Sequence, residues 1–315
     1  MPLTSRQRLA IALIFITPAL WAINYLVARR APGVIEPNLL AMLRWMGAGA
    51  IYAGLSWREL RGHRAHIVAD WRRYLVLGAL GMWICGAWVY IGGRTTTAVN
   101  IALIYALSPI FIVLASAWWL RERFVRLQAV GIALAFAGVL HVILQGRWAA
   151  LSEVQFVPGD GWILAAALSW TAYALLLKRW PSPLSTSARL AVISACGVLV
   201  LLPFAAWEVA NSTHAPLTLE GLGLVAASAL FPGYAAYWGY AVIQQELGAA
   251  RASVIQYLGP LYAAGLGWLV LGEAVHLHHA VGLVLVLGGV YLVTQASRRR
   301  DGPADALPAR AARAD

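Results

Sequence analysis

Ten blocks of apolar sequence, each some 18–24 residues long, follow one another along this chain, and nothing else in it restricts the fold so tightly. At 1.5 Å per residue, a helix of about 20 residues crosses a hydrocarbon layer about 30 Å thick. Within that layer every backbone N–H and C=O must be satisfied internally, so only helices or a closed barrel can cross it, and blocks of this length fit helices. They fall at 9–28, 38–57, 74–92, 97–120, 125–144, 161–178, 187–207, 221–243, 249–271 and 278–296. Composition agrees: 61% of the 315 residues are hydrophobic and 12% charged, where a soluble domain has roughly 45–50% and about 25%. The sequence predicts an all-α integral membrane protein of ten transmembrane helices.

A formal net charge of +11 would suggest a nucleic-acid partner for a soluble protein. Here the basic residues sit in connectors and tail with no nucleic-acid-binding pattern behind them, so none is expected. They set topology instead, because Arg and Lys favour the cytoplasmic side. With the N-terminus inside, the inner set is Arg6, Arg8, Arg58, Arg61, Arg64, Arg72, Arg73, Arg121, Arg123, Arg126, Lys178, Arg179, Arg189, Arg251, Arg298, Arg299, Arg300, Arg310 and Arg313. The outer set is Arg29, Arg30, Arg94 and Arg147. Both termini are therefore expected in the cytoplasm of a bacterial inner-membrane protein. Arg6 and Arg8 precede a run too long for a signal peptide, and nine more blocks follow, so the first helix is expected to be retained. Cys85 and Cys196 lie inside apolar blocks and read as packing residues.

The chain repeats itself. At a shift of 151 residues Pro109 meets Pro260, Glu122 meets Glu273, Ala129-Val-Gly131 meets Ala280-Val-Gly282, and Gly138-Val139 meets Gly289-Val290. The first blocks match at a shift of 149, with Leu20-Trp21 over Ser169-Trp170 and Arg29-Arg30 over Lys178-Arg179. A five-helix unit is duplicated, and because five is odd the second copy enters the membrane from the opposite side. The connectors agree. Arg121-Glu-Arg-Phe-Val-Arg126 corresponds to Gly272-Glu-Ala-Val-His-Leu-His-His279, which has no Arg or Lys. The expected organisation is a cytoplasmic N-terminus over 1–8, a first repeat over 9–145, an external connector over 146–160, a second repeat over 161–296 and a disordered basic cytoplasmic tail over 297–315.

The sequence resembles the drug/metabolite transporter superfamily, in its EamA-type ten-helix branch. The resemblance rests on Ala19-Leu-Trp-Ala-Ile-Asn24, Arg44, Ala106-Leu-Ser-Pro-Ile-Phe111 followed by Leu120-Arg-Glu122, and Tyr257-Leu-Gly-Pro-Leu-Tyr262 followed by Leu271-Gly-Glu273. It covers residues 9–295. In the first unit Leu-Arg-Glu stands where Leu-Gly-Glu is usual, and Ala22 where Gly is usual. The resemblance implies a secondary transporter that exports or imports amino acids, their derivatives or other small metabolites.

Several residues inside the spans could carry that chemistry. Pro109 and Pro260 sit at corresponding mid-span places, where a proline removes one backbone bond and permits a bend; they are candidate hinges or static kinks. Arg44 is the one basic side chain well inside a span, at a cost on the order of 2.5–3.5 kcal/mol, so it should face protein or a wet cavity. It is either a clamp for an anionic group or a side chain that reaches Glu36 or loose carbonyls. Mid-span aromatics suit apolar, aromatic or cationic solutes, and Asn24 and Gln256 add directional bonds. Asn100, Ser108 and Gln244 read as helix-packing groups. The candidate substrate-binding set is Trp21, Asn24, Tyr25, Arg44, Tyr90, Tyr105, Trp170, Tyr173, Tyr234, Tyr237, Trp238, Gln256 and Tyr257.

No Asp or Glu lies in mid-span, and the His276-Leu-His-His279 string lacks a second ligand cluster. No HExxH, GxSxG or Walker-A pattern occurs. Neither an enzyme, a metal nor a cofactor is expected. The function read from sequence is alternating-access transport of a small amphipathic metabolite, with efflux of amino acids or their derivatives as the specific expectation. Flipping of a lipid or lipid-linked sugar is the alternative. Oligomeric state is left open.

Overall fold

The computed structural model describes residues 4–96, 98–121, 125–212, 217–262, 265, 269 and 276–298, and it is helical throughout its regular elements. The helices are α1 (Ser5–Arg30), α2 (Pro37–Gly62), α3 (Trp71–Gly92), α4 (Asn100–Trp119), α5 (Arg126–Ile143), α6 (Pro158–Arg179), α7 (Thr186–Asn211), α8 (Leu219–Leu247), the short α9 (Ala249–Val254) and α10 (Leu277–Arg298). All but α9 and α10 are long and apolar enough to cross a membrane, and Leu277–Val293 is a shorter apolar stretch. Most of the expected ninth span beyond residue 262, with Trp268, Leu271 and Glu273, lies outside the described residues, as do Glu122 and the tail beyond 298.

Local chemistry starts several of the helices. Thr4 and Gln7 form a capping box at α1, Ser185 accepts from Ala188 N at α7, and Thr218 from Gly221 N at α8. Pro37 and Pro158 open α2 and α6, where the missing N–H is no loss. α2 and α7 run well past the ends of their apolar blocks: α2 continues to Gly62, past a non-helical Ser56 whose Oγ donates to Tyr52 O at 2.6 Å, and α7 continues to Asn211. The connector at 146–160 holds a 3₁₀ turn, Trp148–Glu153.

Helix pairing gives the architecture. Two pairs of matching helices, α2 with α7 and α5 with α10, lie antiparallel. Glu208, at the end of α7, accepts from Asn38 N at 2.7 Å, Asn38 Nδ2 at 2.6 Å and Leu39 N at 3.2 Å, at the start of α2. Glu59, at the end of α2, accepts from Ser185 N and Ser185 Oγ, both at 2.6 Å, at the start of α7. Glu59 and Glu208 are themselves 149 residues apart, so each copy caps the other with the same side chain. α5 and α10 cross in the same manner. A Cβ on Gly131 would lie 2.7 Å from Gly289 O, and one on Gly138 would lie 3.0 Å from Gly282 O. The glycines that reveal the repeat are thus the points where its two copies touch. α1 runs against α8, with Arg6 near Glu246 and Arg30 bonded to Glu220; α3 runs against α6, with Thr96 and Asn100 bonded to Asp160.

These contacts sort the bundle into two ends. Arg6, Glu59, Tyr74, Ser182, Ser185 and Glu246 share one, which the basic connectors also occupy; Arg30, Glu36, Asn38, Arg94, Asp160, Glu208 and Glu220 share the other. They are called the basic end and the opposite end below.

The helix interiors are interrupted in matched places. π-turns occupy Ala79–Ile84 in α3 and Ala229–Ala235 in α8, positions that correspond at the 151-residue shift. Pro232-Gly233 marks the second in sequence; the first, which contains Gly81, lies in a helix that the sequence reading takes as unbroken. A π-turn displaces backbone bonds, and the loosened carbonyls need donors. Ser169 Oγ donates to Leu80 O at 2.9 Å, Tyr237 OH to Gly81 O at 3.0 Å, and Trp45 Nε1 to Met82 O at 3.1 Å. In α8, Tyr52 OH donates to Tyr234 O. Tyr52→Phe is therefore expected to lower stability by about 1–2 kcal/mol, the cost of an orphaned buried acceptor. Thermal unfolding in detergent reads this directly, and an unchanged midpoint would mean that the carbonyl finds another donor.

The proline positions also break their helices. Ala98–Ala106 and Ser108–Trp119 are separate α segments with a turn at Leu107, and Pro109 opens the second. On the other copy, Ile255–Leu258 form a 3₁₀ turn just before Pro260. The two breaks meet, since Ser253 Oγ points at Pro109 O, 3.5 Å away.

Candidate functional site

Arg44 stands on the second turn of α2, about 10 Å from its start at 1.5 Å per residue, and is 4% exposed. Its Nη1 donates to Asn24 Oδ1 of α1 at 3.2 Å, and Tyr90 OH of α3 donates to the same oxygen at 2.9 Å. Three helices of the first copy thus converge on the Asn24 amide oxygen, which accepts from both. Its stem lies beside Gly233, where an added Cβ would come within 3.5 Å of Arg44 Cγ, so the π-turn of α8 closes over it. Among the described residues the buried Arg44 Nε has no hydrogen-bond partner and no carboxylate comes within ion-pair distance. The reading in which Arg44 reaches out to Glu36 is not what the structure holds. Glu36 is bonded to Arg94 at 2.7 Å and to Ser212 at 3.0 Å.

An aromatic cluster fills the space between the copies. Trp21 and Trp170, 149 residues apart, meet edge to face with ring centroids at 5.6 Å. Trp170 stacks on Tyr173 at 5.4 Å and contacts Tyr237 at 5.6 Å, and Tyr237 lies 4.6 Å from Trp45. Trp170, Tyr173 and Tyr237 are buried and Trp21 half-buried. The rings close on one another, edge-to-face contacts predominating as ring quadrupoles favour. Trp170 Nε1 has no hydrogen-bond partner.

The remaining candidates divide between settled and unsettled groups. Tyr105 is half-buried on α4, its hydroxyl beside the Cys85 thiol. Tyr234 packs on Tyr52 at 4.9 Å, and Trp238 is half-buried one turn farther along α8. Gln256 and Tyr257 lie on the 3₁₀ turn before Pro260, and among the described residues both Gln256 Nε2 and Tyr257 OH lack partners. Tyr25 belongs to α1, but its side chain lies outside the described residues. Asn100 bonds Asp160 and Gln155 O, and Gln244 Nε2 bonds Ala174 O at 2.9 Å, so both join helices as expected. Ser108 Oγ has no partner.

Sequence reasoning missed Trp45 and Tyr52, which belong to the same interior. It also missed Glu59 and Glu208. The 149-residue match that superposes Trp21 on Trp170 also superposes the two glutamates, and that was the available signal. Among the described residues no group of three or more His, Cys, Asp or Glu could hold a metal ion.

The sequence profile of the EamA-like transporter family matches residues 8–144 and again 157–295. The chain belongs to that family. Among its relatives, this EamA-like transporter is 30% identical to the uncharacterized transporter YyaM of Bacillus subtilis, over 69% of this chain and 71% of that one. It is 25% identical to an uncharacterized transporter of Archaeoglobus fulgidus over 93% and 98% of the two chains. It is 26% identical to the S-adenosylmethionine/S-adenosylhomocysteine transporter of Chlamydia trachomatis, over 84% and 83%. A solved crystal structure at 21% identity superposes with a TM-score of 0.72, covering 93% of this chain and 98% of its own, a likeness of fold alone.

Proposed function

We propose that this chain moves a small amphipathic metabolite with an anionic group across the bacterial inner membrane by alternating access, and specifically that it exports amino acids or their derivatives. One observation carries the reading. Arg44 is a buried guanidinium with an unpartnered Nε and no carboxylate beside it among the described residues, and burying such a charge is costly unless an anion completes it. A substrate carboxylate held by Arg44, Asn24 and Tyr90 would leave the rest of the molecule toward Trp21, Trp170, Tyr173 and Tyr237. Tyr25, Tyr105, Tyr234, Trp238, Gln256 and Tyr257 complete the proposed lining.

The relative from Chlamydia trachomatis supports the substrate class, since S-adenosylmethionine and S-adenosylhomocysteine are amino-acid derivatives with an aromatic base. The basic end is assigned to the cytoplasm on the Arg and Lys bias, which puts both termini there. Bending at Pro109 and Pro260 would open the two ends in turn, the repeats over 9–145 and 161–296 moving about the connector at 146–160.

The test is flux into proteoliposomes of radiolabelled leucine, phenylalanine, S-adenosylmethionine and S-adenosylhomocysteine, beside a fluorescent-lipid scrambling assay. At least one carboxylate solute is expected to move without scrambling. Arg44→Ala is expected to raise its half-saturation about tenfold to a hundredfold, the worth of a charge-assisted bond, with Arg44→Lys between. Unchanged half-saturation in both variants retires the clamp, and scrambling without solute flux retires the metabolite reading.

A further inference from the structure

The duplicated helices α2 and α7 each bury an arginine near the start. Arg44 lies in the second turn of α2, toward the opposite end. Arg189 lies in the first turn of α7, about 5 Å from its start at 1.5 Å per residue, and is 9% exposed at the basic end. At the 149-residue shift Arg189 corresponds to position 40 of α2, one helical turn from Arg44 on the same face. A cation at a helix N-terminus opposes the macrodipole, so its burial there needs a reason.

Part of the position of Arg189 is explained by a bond from its Nη2 to Trp180 O, at the end of α6. Its Nε is buried without a partner. A small cavity beside it is lined by Asp70, Arg73, Tyr74, Trp180 and Ser182. Asp70 is already committed to Arg73 at 3.0 Å and lies 3.7 Å from His66, and among the described residues no carboxylate pairs with Arg189. Tyr74 OH and Ser182 Oγ stand at the same cavity, hydrogen-bonded to each other at 3.0 Å, and Tyr74 OH lies 3.3 Å from His66 Nε2. The cavity thus carries an excess of positive charge and the unused N–H of Arg189.

We infer that Arg189 is a second anion station, which receives the carboxylate of the transported solute at the basic end as Arg44 does toward the opposite end. The inference rests on the anionic-solute reading above and extends it: the inverted repeat supplies a guanidinium for each side, so the charged group meets a fixed cation from whichever end it comes. A planar guanidinium suits this because it can bind a carboxylate with two parallel N–H bonds.

The experiment measures half-saturation from each face separately, in right-side-out and inside-out membrane vesicles, for the fastest-moving solute among leucine, phenylalanine, S-adenosylmethionine and S-adenosylhomocysteine. Arg189→Gln is expected to raise half-saturation at least tenfold from the basic-end face and less than twofold from the other, and Arg44→Gln to do the reverse. Arg189→Lys, which keeps charge and bulk, is expected to fall between wild type and Arg189→Gln. Half-saturation does not depend on how much variant folds, so lower expression does not mimic the result. If Arg189→Gln shifts neither face, or both equally, the second station is wrong while an effect of Arg44→Gln still upholds the clamp. If the wild-type chain moves none of the four solutes, the anionic-solute reading fails and the station with it.

Discussion

Gly289→Ala is expected to destabilise the protein by about 2–3 kcal/mol, although alanine is the better helix former by about 0.8–1 kcal/mol. The sign comes from packing. A Cβ at Gly289 would lie 2.6 Å from Ala135 N and 2.7 Å from Ala135 Cβ, and closer still to Gly131 O. These are mainly backbone atoms of α5, which cannot rotate aside, so the two helices must separate along a seam that also includes Gly131, Gly138 and Gly282. Gly54, on α2, is the control: a Cβ there meets nothing within 4 Å, so Gly54→Ala is expected to be neutral or to stabilise by up to about 1 kcal/mol. Thermal unfolding of both variants in the same detergent decides the matter. Equal shifts in the two would mean that α5 and α10 are not in backbone contact.

The reciprocal glutamates give the second large effect. Glu208→Ala removes the acceptor for three donors, two backbone N–H groups and the Asn38 amide, and is expected to cost about 2–3 kcal/mol. Glu59→Ala releases Ser185 N and Ser185 Oγ nearer to water and is expected to cost about 1–2 kcal/mol. The double variant should equal the sum of the two to within about 0.5 kcal/mol. The carboxylates stand at opposite ends of a helix pair on the order of 35–40 Å long, too far apart to couple directly. Clear non-additivity, measured by denaturation midpoints of the four proteins, would show instead that the ends of the α2–α7 pair communicate through it.

Much of this architecture is legible in the sequence, for a definite reason. A bilayer demands one span length and one polarity from every crossing segment, so the blocks stand out, and the matches at 149 and 151 residues expose the duplication. Arg44 is legible for the same reason, being an expensive residue in an apolar block. Its partners are not. Glu36 is near in sequence but binds Arg94, while Asn24 and Tyr90 come from two other helices. The π-turn over Ala79–Ile84 is equally hidden, because its carbonyls are held by Trp45, Ser169 and Tyr237 from three different helices, and Gly81 alone does not announce it.

Hydropathy, charge and repetition along the chain are enough to specify a membrane helix bundle, built twice over, with a basic side, with prolines at matching positions and with one arginine deep in an apolar helix. Those properties follow from hydropathy, charge and period, which are local or repeat at a fixed interval. It takes the packed helices to show that Glu59 and Glu208 cap each other's helices, that the repeat's glycines are its seam, that Trp21 and Trp170 touch, and that Arg189 lies buried beside its own small cavity. Each of these depends on which helices become neighbours and which way they run, a relation between residues more than a hundred positions apart that no local property of the chain encodes.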